Sequence, residues 1–84
     1  MTKRELTEKI EQALEMIISV SGRKFSIVRD EEDWLTITER QHKESEKHYS
    51  DTNQLISRYR IDGKPLRDCL EAITIVKYTA LLDA

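Results

Sequence analysis

The sequence predicts a small α+β domain of order α-β-β-β-α, with two helices packed on a short antiparallel sheet. Three observations lead there. Apolar residues recur at steps of three and four toward both ends of the chain. Between them, β-branched and aromatic residues alternate with polar ones. Ser21-Gly22 and Asp62-Gly63 punctuate these segments with residues that suit tight turns.

The first helix is expected over the residues that carry Leu6, Ile10, Ala13, Leu14 and Ile17 on one face. Thr2 and Glu5 fit a capping box, in which each side chain satisfies an otherwise unpaired amide. Ser21-Gly22 reads as the stop of this helix, because glycine takes the left-handed conformation at little cost. A hairpin follows. Phe25 and Ile27 share one face of its first strand, and Leu35 and Ile37 share one face of its second. Asp30-Glu31-Glu32-Asp33 joins them, and four adjacent acids demand solvent.

Residues 39–54 contain almost nothing to bury, since only Tyr49 has apolar character. A mobile polar loop or a protruding extension of the hairpin is expected there. Leu55–Ile61 admits two readings. As a helix, Leu55 pairs with Tyr59 and Asp51 caps. As a strand, which is favoured, Tyr59 and Ile61 share a face and run into the Asp62-Gly63 turn. Pro65 suits the first position of a second helix, Leu66 to about Leu82. Leu66, Cys69, Leu70, Ile73, Val76, Ala80 and Leu81 form its main stripe. Ile75, Tyr78 and Leu82 fall outside it.

Composition bounds what the chain does. Its 84 residues fit a single domain, 1–84. Apolar residues are 38% and charged residues 36%, too apolar for a disordered chain. A net charge of −2 carries no strong bias toward nucleic acid or membrane. Cys69 is the only cysteine, which excludes an intramolecular disulfide framework; it is expected in the core. No apolar run approaches the ~20 residues of a membrane span, and none resembles a signal-peptide core. A cytoplasmic protein with no membrane partner is expected.

No residue set points to catalysis. His42 and His48 lie among Glu39, Glu44, Glu46 and Asp51, but their spacing matches no tight metal motif, and a solvated polar segment is the better reading. Neither a metal nor a cofactor is expected. The carboxylates of the first helix and of the 30–33 run read as solvated, since nothing suggests the burial that would tune them for acid–base work.

The expectation is a non-enzymatic protein-interaction module: an adaptor, inhibitor or regulatory subunit acting by surface binding. Trp34 alternates out of phase with Leu35 and Ile37, and an exposed tryptophan often marks a contact. With Ile75, Tyr78 and Leu82 it forms the candidate partner-binding set. A homodimer is the simplest way to cover such a second stripe. The alternative is a nucleic-acid-associated accessory protein using Arg58, Arg60, Lys64 and Arg67, with Tyr59 interleaved. Asp62 and Asp68 dilute that cluster.

Overall fold

The helix at the start of the chain ends after ten residues, because a strand takes over at once. In the computed structural model, which describes residues 1–81, α1 spans Lys3–Gln12 and β1 spans Ala13–Val20 with no loop between them. The capping box is present. The Thr2 hydroxyl accepts from the Glu5 amide (3.1 Å), and the Thr2 amide donates to the Glu5 carboxylate (3.0 Å). Leu6 and Ile10 are fully buried.

The periodicity predicts that this helix continues through Ile17, and it does not. Residues 13–20 alternate Met16, Ile18 and Val20 into the core, with Ile17 and Ser19 on the other face. Arg29, from the neighbouring strand, marks the break. Its guanidinium donates to the carbonyls of Ile10 (2.8 Å) and Ala13 (3.1 Å). A cation thereby meets the negative end of the helix, where the Ile10 carbonyl also accepts from the Ala13 amide.

β2 (Arg23–Arg29) follows through a two-residue turn. Ser21 (φ 51°) and Gly22 (φ 83°) both lie in the left-handed region. Ser21-Gly22 therefore turns a hairpin instead of stopping a helix. β3 (Leu35–Glu39) pairs with β2 as the alternation predicts, and Phe25, Ile27, Leu35 and Ile37 are buried on one face.

Residues 39–54 are not a loop. β4 (His42–Tyr49) pairs antiparallel with β3, and α2 (Thr52–Arg58) begins within the same stretch. The polarity of β4 follows from its place at the sheet's margin, where only Ser45 and Tyr49 are half-buried. For Leu55–Ile61 the helical reading is the correct one as far as Arg58, and the Asp51 carboxylate caps α2 through the Gln54 amide (2.8 Å). The favoured strand shrinks to β5 (Arg60–Ile61). Its partner is β6 (Lys64–Pro65), across a turn with Asp62 (φ 53°) and Gly63 (φ 84°) left-handed.

The largest correction concerns the C-terminal segment. In place of a helix from Leu66, two short 3-10 turns, Leu66–Asp68 and Leu70–Ala72, lead into β7 (Ile73–Ala80). β7 pairs antiparallel with β1, giving a five-stranded sheet of order β4-β3-β2-β1-β7. The α+β class holds, with two helices on an antiparallel sheet. Leu6 and Ile10 of α1, and Leu55 and Ile56 of α2, join one core with the inward residues of β1, β2, β3 and β7. Among the described residues, the opposite face of the sheet carries no helix.

Two stability outcomes follow from this packing. Ile18 is fully buried on β1, so Ile18→Ala should cost about 2–5 kcal/mol by chemical denaturation. Arg29→Met should cost about 2–3 kcal/mol, because two charged hydrogen bonds at the helix end are lost. An unchanged melting temperature in Arg29→Met would show that α1 does not need this tie.

Candidate functional site

The sheet has two outer edges, and they differ. β4 exposes Lys43, Glu44, Glu46 and Lys47, and its pairing with β3 is interrupted between Ile37 and Glu39. Ser45 fills that irregularity: its hydroxyl accepts from the Glu39 amide (2.8 Å) and donates to the His42 carbonyl (2.6 Å). Charge and irregularity both blunt an edge against pairing. β7 is less protected among the described residues, carrying one charge, Lys77, and one bulge, at Val76. It is eight residues long and mostly β-branched. Among the described residues it pairs with β1 alone.

The candidate partner-binding residues do not lie together. Trp34 is 44% exposed just before β3, its amide held by the Asp30 carboxylate (3.0 Å). Ile75 and Tyr78 lie on a strand, not on the second face of a helix. Both are half-buried against the core. The Tyr78 hydroxyl donates to the Lys9 carbonyl (2.9 Å), and the Lys9 ammonium lies 5.0 Å from the ring centroid. Leu82 lies outside the described residues. Trp34 and Tyr78 are separated by β2 and β1.

The basic candidates are exposed but divided. Lys64 and Arg67 line a groove of about 610 Å³ that Arg58 and Arg60 do not reach. Asp62, Asp68 and Glu71 line the same groove, so acids outnumber bases there. Arg60 is turned to its own hairpin, donating to the Gly63 carbonyl (2.8 Å). Cys69 is half-buried at this groove instead of lying within the core, with its thiol 3.6 Å from the Pro65 carbonyl. His42 pairs with Glu44 and His48 with Glu46, each at 3.3 Å. No group of three or more His, Cys, Asp or Glu side chains able to hold a metal converges among the described residues. Nor is any helix among them long and apolar enough to cross a membrane.

One polar cluster had no signal in the sequence. Arg23 grips Glu39 with two hydrogen bonds (2.9 and 2.7 Å) and Asp62 with a third (2.7 Å). It joins β2, the end of β3 and the β5–β6 turn, three places far apart along the chain. The Arg23 guanidinium holds the Glu39 carboxyl below the usual carboxylate range, and its own affinity for the proton rises in return. Because Arg23 is tied up in this way, it serves the fold and is not free for a ligand.

No protein-family model matches the chain, and no curated protein or solved structure matches it.

The Arg23 cluster has a pH signature. A carboxyl whose folded pKa is depressed stabilises the fold above its unfolded value, near 4.3, and that contribution is lost as pH falls through the folded value. Glu39→Gln should therefore melt below the wild type at neutral pH, and the gap should close in acid. A gap that stayed constant from neutral pH into acid would mean that the Glu39 charge contributes nothing.

Proposed function

We propose that this chain is a non-enzymatic protein-interaction module that works as a homodimer joined edge to edge through β7. The difference between the two sheet edges carries the reading. An edge strand presents a row of backbone donors and acceptors without partners, and proteins usually shield it with charge, proline or a bulge. β4 is shielded by Lys43, Glu44, Glu46 and Lys47 and by its irregular register, whereas β7 has a long, β-branched outer margin interrupted by one charge, Lys77, and one bulge, at Val76.

A second copy is the occupant that fits best. Both β7 edges are preformed, so pairing orders no flexible segment and avoids that entropic cost. Antiparallel pairing about a two-fold axis places β-branched residues opposite one another, a favoured cross-strand arrangement. An axis placed away from Lys77 keeps the two ammonium groups apart. The charged β4 edge does not complement β7, so association closes at two copies instead of growing into a filament. Ile75 and Tyr78 would gain cross-strand neighbours and become more buried in the dimer.

Sedimentation equilibrium tests this. The wild type should sediment at twice its monomer mass of 9.9 kDa. Thr74→Lys/Val76→Lys should be a folded monomer, because both residues are exposed and the substitutions only add charge to the edge. A wild type that stays monomeric at high concentration, or a dimer that survives both lysines, would refute the edge-to-edge assembly.

A further inference from the structure

The face of the sheet that carries no helix has an apolar end. Strand register brings together residues that are far apart in sequence. Val28 lies opposite Glu15 on β1 and opposite Thr36 on β3, and Trp34 precedes Thr36 by two residues. Alternation from the buried Leu35 turns Trp34 to the open side. Leu14 is the extra residue of a bulge in β1, next to Glu15. Leu81 lies at the same end, its amide bonded to the Gln12 carbonyl (2.7 Å). Leu14, Trp34 and Leu81 are each 44% exposed, and Val28 is 38% exposed. From β3 to β7 this row spans three strand spacings, roughly 14 Å. A helix with its side chains is about 10–12 Å across and would fit that span.

The rim of this patch is acidic. The β2–β3 turn, Asp30-Glu31-Glu32-Asp33, adjoins Trp34, and Glu15 sits opposite Val28. Glu15, Glu31 and Glu32 form no ion pair among the described residues. Arg29 faces the core, bonded to α1, and of the acids in the turn it pairs with Asp33 alone, at 4.0 Å. Lys77 lies farther along the sheet, opposite Ile17. Apolar side chains set among unpaired carboxylates complement an apolar ridge flanked by cations.

We infer that this end of the open face docks a basic amphipathic helix of a partner protein. The partner's apolar stripe covers Trp34, Val28 and Leu14, and its lysines or arginines meet Glu15, Glu31 and Glu32. Helix-in-groove recognition of this kind reads anchors at i, i+3, i+4 and i+7. The inference rests on the reading of the chain as a protein-interaction module, but not on its dimerisation, since the patch and the β7 edge use different residues.

Trp34 is the only tryptophan, so its fluorescence reports docking directly. The probes are two designed helices of leucine and lysine, or of leucine and glutamate, each longer than about 15 residues so that helicity is not marginal. The leucine–lysine helix should shift Trp34 emission to the blue and saturate, more weakly as salt rises. The leucine–glutamate helix should bind at least ~10-fold more weakly. Glu31→Lys/Glu32→Lys and, separately, Leu14→Ser/Val28→Ser should each weaken binding by about 10-fold, with melting curves confirming that both variants fold. Thr74→Lys/Val76→Lys should bind like the wild type, so a failed dimer and a failed patch are told apart. Equal binding of both helices, or unchanged affinity in either patch variant, overturns the inference. So does a shift produced by raising the protein concentration alone, which would assign the patch to a second copy.

Discussion

The architecture depends on a junction with no slack. α1 passes into β1 between Gln12 and Ala13, and Arg29 holds that point by donating to carbonyls on both sides of it. Because no loop intervenes, the direction of the helix over the sheet is set by the direction of β1. Leu6 and Ile10 then reach the core only from that angle. Arg29 belongs to β2, so this tie exists only where the first hairpin is paired. A local element, the helix end, is thus fixed by a contact across the sheet.

Both helices lie on one side, and this division gives the two faces of the sheet their character. The covered face is built from isoleucine, leucine and phenylalanine with almost no polar group to satisfy. The open face mixes serine and threonine with a few exposed apolar residues, an arrangement that suits one-sided antiparallel sheets. Its charges are not spread evenly. Acids gather at the β2–β3 turn, while Lys24 and Arg40 lie toward the other end of the same strands. A near-neutral chain can therefore present a local field of one sign.

The proposed dimer and the proposed docking patch are compatible in space. A two-fold axis through the β7 edges, normal to the sheet, would leave both open faces on the same side. The two apolar ends would then point away from each other along the strands. Two linked sites raise the effective affinity for a partner that carries two matching helices. A small domain buries a modest fraction of its surface, so pairing at the edge would also add stability.

Much of the first half of the molecule was legible. The capping box at Thr2 and Glu5, the β2–β3 hairpin and its acidic turn needed only local chemistry and alternation. The Asp62-Gly63 turn did too, whereas the cap at Asp51 belongs to the helical reading of Leu55–Ile61, which local chemistry did not favour. Two elements were misread for one shared reason. In β1 the helical stripe runs through Ala13, the bulge residue Leu14 and Ile17, and the last two lie off the core face. In β7 the bulge residue Val76 sets the half-buried Ile75 and Tyr78 three positions apart. A bulge thus counterfeits helical spacing in a strand. The β-branched content of both segments favoured strands, but isolated segments cannot weigh that against period. Pairing between β1 and β7, distant in sequence, decided the matter. β4 was hidden differently, since an edge strand with no core behind it has no pattern to show. The sequence by itself determined the class, the β2–β3 and Asp62-Gly63 turns and the cap at Thr2. Only tertiary structure decided which strands pair, where the bulges fall and which edge is left open. Those outcomes depend on backbone hydrogen bonds between distant segments, which carry no signature in side-chain order.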